Sequence, residues 1–216
     1  GQVSNITFTG TGTSYAWTND LPAIGLQATG NNQIAAFTAV NATASIQTAN
    51  IAVTPIYLGS GISCNGTVSN FTITVNPTPS VTPTNDFALC NTSVSTPLSF
   101  GGSATSYNWT NSNTAIGLIA SGPNSLPSFT ATNNSNTPVT ATVSVLPIFV
   151  NAGVTCTGTQ DQFVITVNPT PTVQDPSDQV LCNQANTQAV SFTGSGTGYN
   201  WTNTAQSIGL GTNGTG

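Results

Sequence analysis

A single step of 92 residues maps this chain onto itself. It carries Trp17 to Trp109 to Trp201, Tyr15 to Tyr107 to Tyr199, and Phe8 to Phe100 to Phe192. It also carries Cys64 to Cys156, Cys90 to Cys182, and Ile24-Gly25-Leu26 to Ile116-Gly117-Leu118 to Ile208-Gly209-Leu210. Asn76-Pro77-Thr78-Pro79 recurs as Asn168-Pro169-Thr170-Pro171 with no slip in register. An array of this kind needs one packing solution used repeatedly, whereas an active site needs one special constellation. Gly1 is equivalent to Ser93 and Gly216 to Asn124, so the sequence reads as a window on a longer polypeptide. The predicted division is an N-terminally incomplete β-sandwich repeat over 1–78, a complete one over 79–170, and a C-terminally incomplete one over 171–216.

Charge is almost absent. The 216 residues contain no Lys, Arg or His, and five acidic residues give a net charge of −5. All five are aspartates: Asp20, Asp86, Asp161, Asp175 and Asp178. Without basic side chains the chain has no means of holding phosphate, which argues against nucleic acid. The same absence argues against docking on an anionic lipid surface. No stretch approaches the roughly 20 apolar residues of a membrane helix, so direct membrane insertion is not expected. Solubility falls to Asn, Thr, Ser and Gln, and weak self-repulsion favours side-by-side association with neighbouring fibres.

The local pattern is that of strands. Thr, Val, Ile, Asn, Gly and Pro dominate, and the usual helix formers are scarce. Apolar and small polar residues alternate through Val139–Val145, and Phe163, Ile165 and Val167 alternate like Phe71, Ile73 and Val75. Within the complete repeat the spacing predicts strands near 80–84, 86–90, 96–101, 105–111, 115–120, 127–132, 138–148 and 161–168. Seven or eight short strands in that length predict an all-β, immunoglobulin-like β-sandwich. Pro77, Pro79, Pro169 and Pro171 mark the joints between repeats. Proline ends a sheet ladder and stiffens the backbone, so the repeats are expected to stack as a rod rising roughly 35–45 Å each.

Four cysteines at repeating phases, with no His beside them, read as disulfides in an oxidising compartment. If the proline joint is the boundary, Cys90 and Cys156 share a repeat and bond, leaving Cys64 and Cys182 with partners outside the window. The rival pairing, Cys64–Cys90 with Cys156–Cys182, staples neighbouring repeats. The Tyr-x-Trp-Thr motif is read as packing, since residues i and i+2 share one face of a strand. Its rival role is an aromatic platform for sugars. The aspartates are too sparse for the six to eight oxygens calcium takes. No His or Lys is present to act as a base, and no nucleophile has a partner. The chain is therefore expected to be no enzyme, and no catalytic, cofactor or metal site is assigned.

The run Phe-x-Ile-Thr-Val-Asn-Pro-Thr-Pro, then Asp-x-x-Leu-Cys-Asn (Asp86–Asn91 and Asp178–Asn183), then Tyr-Asn-Trp-Thr-Asn and Ile-Gly-Leu, resembles PKD-like repeats. These occur in very large cell-surface and gliding-associated secreted proteins of Bacteroidota, and the resemblance covers essentially the whole chain. It implies export through type IX secretion, an extracellular, cell-surface location, and a role as stalk, adhesin or filament. The partners it implies are further copies of the same repeat within one long chain. Two other readings stand beside it. One is a polysaccharide-binding accessory module, and the other is a pilus subunit that exchanges strands across its unpaired sheet edges.

Overall fold

The computed structural model describes residues 2–216, and its architecture is all-β. The central stretch is built on one long strand, Val139–Asn151, whose alternating apolar residues face inward and whose polar residues face out. Asp161–Asn168 pairs with it antiparallel over 139–145, and Ser106–Asn111 pairs over 143–148. Ser121–Pro123 extends the sheet beyond Ser106–Asn111, and Phe87–Cys90 closes the other side, running parallel to Asp161–Asn168. Val154–Thr157 folds back on the last residues of the long strand and forms a hairpin.

A thinner layer of short segments faces this sheet. Leu98–Ser99 pairs with Ser125–Leu126, and isolated bridges join Val81 to Gly102 and Val94 to Thr130. Between the layers lie Trp109, Val143, Val145, Phe163, Ile165 and Val167 from the sheet, with Ile116, Leu118, Leu126 and Ala131 opposite. Side chains of this size each contribute about 1.5–3 kcal/mol on full burial. This two-layer arrangement is consistent with a β-sandwich.

The expected strand at 115–120 is a correction. Thr114–Ile116 is instead a single 3-10 turn, capped by Asn113, whose side chain accepts from Ala115 N. Gly117 then takes φ 94, and a Cβ there collides with the Thr130 carbonyl. The recurring Ile-Gly-Leu is therefore a turn that drives both flanking apolar residues into the core. Expected strands at 80–84 and 127–132 shrink to the Val81 and Thr130 bridges, and 96–101 to Leu98–Ser99. Ser121–Pro123 and Val154–Thr157 are strands that the pattern did not suggest.

Pro147 sits inside this 13-residue strand, where a missing N–H is normally excluded. It lies between the pairs Val145↔Asp161 and Ile148↔Thr157, opposite three residues that carry no pairing of their own. Gly158 N donates to the Pro147 carbonyl across that break. The bulge thus falls where proline has no hydrogen bond to give.

Residues 2–75 repeat this plan 92 positions earlier. Ser14–Asn19, Gln47–Gly59, Ile62–Asn65 and Ser69–Val75 pair in the matching registers. Thr29–Asn31 extends the sheet as Ser121–Pro123 does. Beyond Pro171, Asn200–Thr202 pairs with Asn213–Thr215, and most residues of that stretch are exposed.

Candidate functional site: the proline joint and its supports

The long strand and its hairpin reach past their own core to the Asn76–Pro79 segment. At the hairpin, Asn151 Nδ2 donates to Asn76 Oδ1 at 2.8 Å. Gly158 packs against the Pro79 carbonyl so closely that no Cβ fits. Pro77 and Pro79 are both buried. Pro169 is half-buried and Pro171 exposed. Fixed φ at two prolines, together with their burial, leaves the first joint little freedom. The expected joint residues are thus placed together here, with Asn151 and Gly158 as supports that the sequence reading missed. The only signal for those two was their position beside Cys156.

The aromatic motif lies inside. Trp109 is 1 % exposed and Tyr107 is buried. Trp109 Nε1 donates to Ser125 O at 2.9 Å, and Trp17 Nε1 to Gln33 O at 3.0 Å. The indole lies over a glycine of the neighbouring strand in all three copies: Gly30, Gly122 and Gly214. Tyr107 pairs with Phe100, Tyr15 with Phe8, and Tyr199 with Phe192, at centroid separations of 5.8–5.9 Å. Trp201 and Tyr199 are only half-buried, on the shorter third stretch.

The asparagine ending each Tyr-x-Trp-Thr-Asn run has a role that spacing did not reveal. Asn111 Nδ2 donates to Leu118 O at 2.9 Å, and its Oδ1 accepts from Asn113 N at 3.0 Å. Asn19 and Asn203 make the same bond, to Leu26 O and Leu210 O. A second bracket, Asn133, donates from Nδ2 to Val167 O and to Thr137 O, as Asn41 does to Val75 O and Ser45 O. Each ties a loop to the end of a strand that has no further ladder partner.

The cysteines are unbonded, and the expected Cys90–Cys156 bridge is a correction. Cys90 sits beside Asn168, one residue past the Val139↔Val167 pair. Cys156 sits opposite Phe149. At about 3.3 Å per residue the two are roughly 35 Å apart along the sheet. A disulfide needs Cα atoms within about 7 Å. Alternation and joint placement gave no sign that the second cysteine lies on a hairpin at the opposite end. The rival pairs, Cys64–Cys90 and Cys156–Cys182, are not bonded either.

Three of the aspartates cap strand edges. Asp86 Oδ1 accepts from Val164 N at 2.7 Å, and Asp161 Oδ2 from Thr84 N at 3.0 Å. Asp20 accepts from both Asn50 N and Asn50 Nδ2, and these bonds, the side-chain one first, hold its carboxyl below the usual value. Asp175 and Asp178 are exposed. Among the described residues no three His, Cys, Asp or Glu side chains gather as a metal would require. No protein-family model and no curated protein matches the chain.

Proposed function

We propose that this chain is a structural segment of a long extracellular filament or adhesin stalk, assembled from stiffly linked, tandem immunoglobulin-like repeats of the PKD-like kind. The observation that carries this reading is the joint. Pro77 and Pro79 are buried, Gly158 of the following hairpin packs on the Pro79 carbonyl, and Asn151 bonds to Asn76. A joint built in this way transmits bending and torsion instead of absorbing them. The motifs that recur most faithfully are used for packing and loop bracketing. The buried Trp109 and Tyr107 offer no open face to a sugar ring.

The function is mechanical. Each repeat is a core of about one sandwich thickness, and stability in an array adds repeat by repeat with a term for each joint. Cohesion within a repeat comes from the core and the asparagine brackets, without a disulfide. A near-neutral surface lacking Lys and Arg also offers no site to trypsin-like proteases. Secretion to the cell surface and contact with further repeats of the same chain belong to this reading.

Cryo-electron microscopy of the native fibre tests it. The 13-residue strand Val139–Asn151 spans most of a repeat. The expected axial rise is therefore about 40 Å per repeat. Flexibly jointed particles with no regular repeat refute the reading.

A further inference from the structure

The first and last strands of the central stretch lie side by side and point the same way. Phe87–Cys90 pairs parallel to Asp161–Asn168 in four steps, from Phe87 opposite Ile165 to Cys90 opposite Asn168. The chain enters this pair from the Asn76–Pro79 joint and leaves it into Asn168–Pro171. Tension along the chain therefore pulls Phe87–Cys90 by its N-terminal end and Asp161–Asn168 by its C-terminal end. In a parallel pair those two ends lie at opposite ends of the ladder. The load slides one strand along the other and falls on every cross-link at once.

The cross-links exceed a bare ladder. Ahead of it, Thr84 N donates to Asp161 Oδ2 at 3.0 Å, and Val164 N to Asp86 Oδ1 at 2.7 Å. Bonds to a carboxylate are stronger than those between neutral groups. Behind the ladder, Asn91 N donates to Asn168 O at 2.9 Å, and Asn91 Nδ2 reaches past Pro169 to Thr170 Oγ1 at 3.0 Å. Asn91 Oδ1 accepts from Asn133 N, and Asn133 Nδ2 returns to Val167 O. Beneath the ladder, Phe87 and Leu89 pack on the core, and the Phe87 ring stacks on Phe163 at 6.1 Å. Phe163 is 1 % exposed, and Ile165 and Val167 are fully buried, so the inner side of the pair is dry.

The rest of the stretch lies off this path. Val139–Asn151 pairs with Asp161–Asn168 as well, but neither of its ends leads to a joint. Upstream of the pair, 80–82 is held to Gly101–Ser103 around one isolated antiparallel bridge. The partner segment there carries no tension of its own, so this contact peels first.

We propose that Phe87–Cys90 and Asp161–Asn168 form a mechanical clamp, which keeps the repeat folded while the chain is under tension. Asp86 and Asn91 are its outer pins. The proposal rests on the stalk reading for the source of the load. It places resistance to stretching in one strand pair and not in the size of the core.

The test is single-molecule force spectroscopy on the full chain. The four native cysteines are replaced by Ser, and handles are attached at pairs of introduced cysteines. Thr78→Cys with Asp175→Cys loads the strand pair in shear. Asn85→Cys with Gln162→Cys pulls at the two N-terminal ends, which lie at the same end of the ladder, and opens it one step at a time. All four positions are exposed. The expected unfolding force is several-fold higher in the first geometry. In that geometry Asp86→Ala and Asn91→Ala each speed unfolding at fixed load about tenfold, as loss of one strong cross-link implies. Gly122→Ala strains the packing against Trp109, away from the clamp. It changes that rate by less than about twofold, because the core is still intact when the pair slips.

Equal forces in the two geometries overturn the proposal. So does a Gly122→Ala chain that unfolds under load as fast as Asp86→Ala, since resistance then follows overall stability. If Asp86→Ala or Asn91→Ala fails to fold by circular dichroism, the two geometries of the parent chain still decide the matter. A regular axial rise with equal forces keeps the stalk and removes the clamp. Unequal forces in a chain whose particles are flexibly jointed keep the clamp and remove the stalk.

Discussion

Replacing Asn111 with Ala tests whether the asparagine bracket, rather than the aromatic motif alone, locks the core. Asn111 is 9 % exposed, and its Nδ2 is shared among Leu118 O, Ile119 O and Asn113 O at 2.9, 3.3 and 3.2 Å. Truncation removes the short bond to Leu118 O and the bond from Asn113 N. Each contributes about 0.5–1.5 kcal/mol net, and the buried Leu118 carbonyl left without a donor costs a further 1–3 kcal/mol or so. The expected loss is about 2–6 kcal/mol, a large share of the stability of a small domain. Asn111→Asp sharpens the argument. It keeps the acceptor for Asn113 N but sets a carboxylate oxygen against the Leu118 carbonyl. That contact raises the folded-state pKa of the new group above its unfolded value. The variant is therefore weakest at neutral pH and gains stability as pH falls through the folded pKa. The assay is urea unfolding followed by Trp109 fluorescence, with Trp17 and Trp201 replaced by Phe. A loss below about 0.5 kcal/mol for Asn111→Ala, within the range of ordinary surface changes, refutes the reasoning. So does an Asn111→Asp variant with no response to acid.

Three other outcomes follow from the geometry. Gly122→Ala places a Cβ 2.7 Å from Trp109 Cζ2, and overpacking of this kind costs about 1–3 kcal/mol. The same urea assay reads that loss. Alkylation of the folded chain without reductant, followed by mass spectrometry, is expected to label all four cysteines. A peptide linked through Cys90 and Cys156 would falsify the strand register that separates them. Asp20 has a folded pKa depressed by its bonds to Asn50. Its contribution is complete above the unfolded value of 3.8 and is lost as pH falls through the lower folded value. Asp20→Ser imitates Ser112, whose Oγ accepts from Thr142 N at the equivalent place. That variant is expected to keep the strand cap and lose this part of the acid sensitivity in an acid-unfolding titration.

Much of the fold was legible as period and alternation. The strands Ser106–Asn111, Val139–Asn151 and Asp161–Asn168 fall where the pattern put them, because one buried face writes itself into a sequence every second residue. Of the recurring aromatic pair, Trp17, Tyr107 and Trp109 are buried, whereas Tyr15, Tyr199 and Trp201 are half-buried. Ile116-Gly117-Leu118 misled, because two apolar residues around a glycine fit either a strand or a turn. Only the Thr130 carbonyl lying against Gly117 decides for the turn. The asparagine brackets were hidden by composition: in a chain this rich in Asn, nothing local marks Asn111 or Asn133 as buried.

The sequence by itself determined the period of its landmarks. An exact 92-residue step, a surface without cations and proline segments at fixed phase follow from residue identity alone. Tertiary structure alone decided where the ends of each strand lie relative to one another. Cys90 and Cys156 look like partners in a list of residues, yet one ends a strand beside Asn168 and the other sits on a hairpin at the far end of the same sheet. The hairpin at the end of the same long strand reaches the first joint, where Asn151 bonds Asn76 and Gly158 packs on the Pro79 carbonyl. Distance along a sheet depends on register and direction, which neither composition nor spacing encodes, and on it rest both the missing bridge and the stiffness of the joint.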